Sequence, residues 1–193
     1  MARILVLDGH PRQGSLSAAL AERYAAAARA TGHDLRTLAL ADLPVGVTPP
    51  DHRPTGGAEP APWVAAVQAD LAWAEHLVIV APMWWGSLPS ALDALIEQVF
   101  LPGFAFRHHE TDPWWDRLLT GRSARVILTM DTPPWVLRWL WRDPIGNRLR
   151  RQVLGFVGFA PIAITRFGPV RTSTPARREG WLATVESLGR RAA

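Results

Sequence analysis

The chain of 193 residues has no cysteine, no lysine and a single tyrosine, Tyr24. The absence of cysteine excludes disulfides, thiolate metal sites and a thiol nucleophile together. The absence of lysine means that all 21 basic residues are arginine, so the isoelectric point near 11.0 reflects where arginine titrates. The formal net charge is only +4. No apolar run approaches the roughly eighteen residues of a membrane span. The N-terminus runs into Ile4 without a signal-peptide layout, so the expectation is a soluble cytoplasmic protein. The length suits one domain with one good core, residues 1–193.

What is present in excess is tryptophan and clustered arginine. Ten tryptophans include Trp84, Trp85, Trp114, Trp115, Trp135, Trp139 and Trp141, more large flat side chains than core filling alone requires. Arginines gather at Arg138, Arg142, Arg148, Arg150 and Arg151, and again at Arg177, Arg178, Arg190 and Arg191. Their spacing, interleaved with apolar residues, is that of solvated helix faces rather than of a nucleic-acid surface.

Five short runs rich in branched residues and bounded by turn formers predict strands: Arg3 to Leu7, Leu35 to Leu40, Leu77 to Pro82, Arg125 to Met130 and Ile162 to Phe167. Helical spacing lies between them. Leu16, Leu20, Tyr24 and Ala27 mark a first helix, Val64, Val67 and Leu71 a second, and Leu88, Leu92, Leu95, Ile96 and Val99 a third. A fourth, broken, runs from about Trp135 to Phe156, and the last starts at Thr174-Pro175 as cap and first helical residue. Strict alternation predicts an α/β fold: a parallel sheet with helices on both faces. Two irregular stretches interrupt it. Residues 44–62 hold too many prolines and glycines for a helix and read as a surface loop, and "LPGFAFRHHETDPWWDRL" at 101–118 reads as a long aromatic, functional loop.

Two turns carry candidate chemistry. "DGHPRQGSLSAAL", residues 8–20, joins the first strand to the first helix, where free helix N–H groups and the helix dipole favour an anion. It has neither the dinucleotide fingerprint nor a P-loop, but it offers His10, Gln13, Ser15 and Ser17 around the backbone N–H groups of residues 15–17. A bland reading makes Ser15 an N-cap and His10 a turn residue without a ligand. "APMWWGSLPSALDALIEQVFLPGFAF", residues 81–106, leaves the third strand. In a sheet ordered 2-1-3-4-5 both turns border one crevice. Pro82, Met83, Trp84 and Trp85 would then form a flat apolar wall beside the phosphate cradle, with Gly86 allowing close backbone approach. That shape suits a flavin, and packing in core and rim is the alternative reading for the two tryptophans.

These stretches, with "LLTGRSARVILTMDTPPW", "LGFVGFAPI" and "TPARREGW" in the same order and spacing, resemble the flavodoxin-like NAD(P)H:quinone oxidoreductases, the DT-diaphorase and modulator-of-drug-activity-B group, along nearly the whole chain. The resemblance implies a three-layer sandwich around a five-stranded parallel sheet. It implies that His10, Gln13, Ser15, Leu16 and Ser17 hold flavin phosphates. Pro82, Met83, Trp84, Trp85 and Gly86 would line the isoalloxazine, and Thr129, Met130, Asp131 and Thr132 its other edge. Phe106 and His108 stand where the family places aromatic residues over the flavin of the partner subunit, which implies a homodimer with shared active sites. The family's Gly-Gly turn, tyrosine and histidine are replaced here by Asp131-Thr132-Pro133-Pro134, and Trp135 would cover the substrate side instead.

The implied reaction is ping-pong: hydride passes from NADH or NADPH to flavin N5 and then to a quinone or another planar acceptor. "TSTPARREGW" resembles the adenine-side segment of FAD-binding relatives, with Arg177 or Arg178 available to stack or pair, so FAD is expected ahead of FMN. Two other classes share the pattern. A flavodoxin-type electron carrier shares the fold, and a flavin-binding ancillary subunit of a potassium efflux system would have a membrane-transporter partner. No nucleic-acid partner and no metal are expected.

Overall fold

The computed structural model describes residues 1–46 and 60–192, so much of the loop expected at 44–62 lies outside the described residues. Five strands, β1 (Arg3–Asp8), β2 (Asp34–Ala39), β3 (His76–Pro82), β6 (Ser123–Thr129) and β7 (Ile162–Phe167), form one parallel sheet ordered β2-β1-β3-β6-β7. Two further short strands, β4 (Phe106–His108) and β5 (Trp115–Arg117), pair antiparallel to each other outside that sheet. Counting only the main sheet, the order is the expected 2-1-3-4-5; the extra pair shifts the chain-order numbers of the last two strands.

Alternation along the strands explains why both faces are covered. Leu5, Leu7, Leu77, Ile79, Val126 and Leu128 belong to one core, against α2 (Pro62–Trp73), α3 (Ser90–Val99) and the broken helix that follows β6. Ile4, Val6, Val78, Val80 and Ile127 point the other way, onto α1 (Leu16–Ala30) and α6 (Pro175–Arg190). A parallel strand buried on both sides reads as a continuous apolar run, as "LVIV" in β3 does. Thr174 caps α6 by accepting from Arg177 N, with Pro175 at the first helical position.

The broken fourth helix has a local cause. A five-residue π-turn, Val136–Leu140, is separated from α4 (Pro144–Arg148) by Arg142 and Asp143, both in the left-handed region at φ 57° and 53°. A second π-turn, Leu149–Val153, then leads into α5 (Leu154–Val157). The Asp143 carboxylate accepts from Arg166 on β7 and from Arg150, which ties the break to the sheet.

The aromatic segment 101–118 folds back as the β4–β5 hairpin. Trp115 stacks on Phe156 at 4.3 Å between ring centroids and donates from Nε1 to the Phe156 carbonyl at 2.9 Å. Phe106 meets the same Phe156 edge-on at 5.3 Å. The spacing of 101–118 gave no strand signal because three-residue strands are too short to show alternation.

Candidate functional site

The carboxyl ends of β1, β3 and β6 open onto one crevice, built from three turns. In the first, Asp8 ends β1, and its buried carboxylate accepts from His10 N at 3.1 Å. Burial pushes the Asp8 carboxyl above the ordinary carboxylate range, more than the neighbouring His10 pulls it down. His10 Nδ1 lies 3.0 Å from Arg12 N and 3.1 Å from the Arg12 carbonyl, so the Arg12 backbone holds the ring in place. Ser15 caps α1 by accepting from Ala18 N at 3.0 Å. The cap uses the third helical N–H and leaves those of Leu16 and Ser17 without an intrahelical acceptor. Ser17 is 1% exposed, and its Oγ has no hydrogen-bond partner among the described residues. A stranded hydroxyl beside two free helix N–H groups is a donor set waiting for an acceptor.

The second turn follows β3. Trp84 and Ser87 exchange both backbone hydrogen bonds at 2.9 Å around Trp85 and Gly86, at φ 51° and 78°. Two positive φ angles are what a two-residue hairpin turn of this hand requires, so glycine at 86 is needed and tryptophan at 85 is strained. The N–H groups of Trp85 and Gly86 make no hydrogen bond among the described residues. The turn is clamped from outside: Arg148 donates to Ser87 Oγ at 3.2 Å and to Asp93 Oδ1 at 2.8 Å, and Ser87 Oγ donates to Asp93 Oδ2. Trp84 meets the His10 ring edge-on at 5.5 Å, joining the two turns.

The third turn follows β6. Thr129 is buried and its carbonyl accepts from Met83 N at 2.7 Å, while Asp131 Oδ1 accepts from Arg171 N at 2.6 Å. Asp131 and Thr132 thereby face the tryptophan turn.

The expected residues divide accordingly. His10, Leu16, Ser17, Pro82, Met83, Trp84, Thr129, Met130 and Asp131 line one cavity with Arg12 and Val170. Trp85, Gly86 and Thr132 join Met83, Trp84, Asp131 and Trp141 around an adjoining open crevice of about 770 Å³, within the range of small-molecule sites. Gln13 is turned aside: its amide donates to Asp42 at 2.7 Å, and it lines a different cavity. Ser15 is committed to the helix cap. Phe106 and His108 sit on the hairpin, packed edge to face with each other, and line neither cavity. Trp135 is 65% exposed and does not line the crevice; Trp141, six residues on, does.

Sequence reasoning missed Arg12, Trp141, Val170 and the Arg148 clamp. Arg12 lies inside the quoted turn and Trp141 inside the tryptophan cluster, so both were within reach. Nothing in the spacing of Ser87, Asp93 and Arg148 signals that they meet.

The donor set fits a flavin phosphate. The fit rests on the stranded Ser17 hydroxyl at the start of a 15-residue helix, and on a flat indole wall beside it. Residues 2–188 match the model of a protein family described as having a flavodoxin-like fold. An FMN-dependent NADH:quinone oxidoreductase of Cereibacter sphaeroides is 32% identical over 121 residues, covering 60% of this chain and 56% of that protein. FMN-dependent NADH:quinone oxidoreductase 3 of Pseudomonas aeruginosa is 29% identical over 93% of this chain and 88% of that protein. The matched part spans about a quarter to just over half the length of the first curated relatives. Among solved structures, Smu.1420 of Streptococcus mutans superposes with a TM-score of 0.83 at 22% identity, over 98% of this chain and 100% of the other.

Proposed function

Because this chain belongs to the flavodoxin-like fold family, we propose that it is a flavin-dependent NAD(P)H:quinone oxidoreductase, a single flavin-binding domain that reduces quinones or related planar acceptors. The observation that carries the reading is the buried, unpartnered Ser17 hydroxyl at the N-terminus of α1, opening beside the Trp84 wall. FMN is the favoured cofactor. Relatives are named for it, and Arg177 and Arg178, which motivated FAD, are bonded to Gly168 O and Ser173 Oγ of their own loop.

In this reading the Leu16 and Ser17 N–H groups, Ser17 Oγ and the His10 ring hold the phosphate, with Arg12 beside them. Trp84 presents its face, and the free Trp85 and Gly86 N–H groups offer donors to the polar edge of the ring. The bound flavin supplies two-electron chemistry, so that NAD(P)H, a proton and a quinone become NAD(P)⁺ and a quinol in two half-reactions. Met83, Trp84, Trp85 and Trp141 keep the acceptor side apolar and limit water there. Asp131 Oδ1 accepts from Arg171 N, and no side chain of this chain is assigned a proton-transfer step.

A homodimer is part of the proposal. Phe106 packs on Phe156 and His108 on Phe106, and neither lines its own crevice, which suits residues that serve a partner's site. The test is reconstitution with FMN and with FAD, followed by NADH and then a quinone. Flavin absorption bleached by NADH and restored by the quinone is the expected result. A bound flavin that NAD(P)H does not reduce would make the protein a carrier, and binding of neither flavin would refute the site.

A further inference from the structure

Four large apolar side chains stand out from one short segment: Trp135, Trp139, Leu140 and Trp141 are between 53% and 74% exposed. The segment is braced from beneath, so they are presented rather than frayed. Leu137 is buried, Asp143 N donates to Leu137 O at 2.8 Å, and the Asp143 carboxylate is held by Arg166, itself 8% exposed. Four large exposed apolar side chains within seven residues mark a surface with a partner.

Charge identifies the partner. Arg138 and Arg142 are exposed beside these side chains, with the Arg138 guanidinium 5.3 Å from the Trp139 ring centroid. Between Thr132 and Leu154 the sole acidic residue is Asp143, and it is consumed by its ion pairs. The segment thus presents apolar side chains and positive charge together, with no carboxylate of its own left over. Tryptophan and leucine flanked by arginine is the composition of a surface that settles into a lipid headgroup layer, where phosphates supply the missing negative charge.

We propose that residues 135–142 dock this protein peripherally on an anionic bilayer. No helix among the described residues is long and apolar enough to cross a membrane, so the contact is a surface one. Trp141 also lines the crevice with Trp84 and Trp85, so docking sets the mouth of the crevice at the lipid. Resting on the quinone-reductase reading, the acceptor class would then be quinones dissolved in lipid.

The test is co-sedimentation of the full chain with vesicles of phosphatidylcholine, alone and mixed with phosphatidylglycerol, without NADH or quinone. The wild type should sediment with the anionic vesicles and lose that binding at high salt. Arg138→Gln with Arg142→Gln should weaken partition about thirtyfold, from the contribution of two arginines near a charged surface. Trp139→Ser with Leu140→Ser should remove binding while leaving reduction of a water-soluble quinone unchanged. Wild type that ignores anionic vesicles, or binding that survives both double variants, would overturn the proposal. So would a wild type that ignores vesicles and a Trp139→Ser, Leu140→Ser variant that dissociates an oligomer, which would give the patch to a second copy. Vesicle binding without reduction of any quinone would leave docking standing and sink only the proposed function.

Discussion

Replacing Ser17 with alanine should move stability and cofactor affinity in opposite directions. The hydroxyl is 1% exposed and has no partner among the described residues, so without a ligand it carries an uncompensated desolvation cost of about 1–3 kcal/mol. Removing it loses one oxygen and leaves a void smaller than a methyl group, which offsets part of the gain. The ligand-free variant should be more stable than wild type by about 1 kcal/mol, raising Tm by about 2–4 °C for a chain of this size. With flavin the sign reverses. A hydrogen bond to a charged phosphate contributes about 1.5–3 kcal/mol, so FMN should bind about 10- to 150-fold more weakly. Thermal unfolding of the flavin-free proteins measures the first quantity, and titration of flavin fluorescence measures the second. A variant that is less stable without flavin and binds FMN as wild type does would show that the hydroxyl serves the core, and the phosphate assignment would fail.

Acid should weaken the fold through His76. Its ring is buried, bonded to Ser123 Oγ at 2.7 Å and close to the Tyr24 hydroxyl, and burial, with Arg125 nearby, lowers its pKa from 6.5 to about 4. Because the folded state resists the proton that the unfolded chain accepts, this stability is complete above about pH 6.5 and is lost as pH falls toward 4, by at most about 3 kcal/mol. Urea unfolding across that window should show the slope and His76→Gln should flatten it; an unchanged slope refutes the assignment. Gly9→Ala probes the first turn, since a Cβ there would lie 2.6 Å from Leu92 Cδ2 and 3.3 Å from the Val80 carbonyl. It should cost about 1–3 kcal/mol and displace the cradle, so FMN affinity should fall with it; wild-type stability together with wild-type affinity would show that the turn has room to spare.

Much of the fold was legible because its signals are local. The apolar runs of β1, β3 and β6, the Thr174-Pro175 cap and a broken helix between about Trp135 and Phe156 are written in adjacent residues, and each formed close to where the pattern put it. The hairpin was not legible. Its strands are three residues long and are held by Phe156, 41 positions beyond Trp115, on which it stacks in a way no periodicity reports. The same division runs through the candidate site. His10 and Ser17 follow from their place between a strand and a helix, because the orphan N–H groups of any helix start lie there.

What the sequence determined by itself is the alternating α/β order, and with it the crevice at the strand ends, since a parallel sheet with helices on both faces leaves its turns together there. Tertiary structure alone decided which side chains of those turns face inward. Gln13 was drawn off by Asp42, Trp141 rather than Trp135 came to line the crevice, and Arg148 was brought to Ser87 across 61 residues. The physical reason is one of range. Helix and strand preferences act over a few residues, whereas a side chain's final direction is set by whichever donor, acceptor or apolar face the packed chain places beside it.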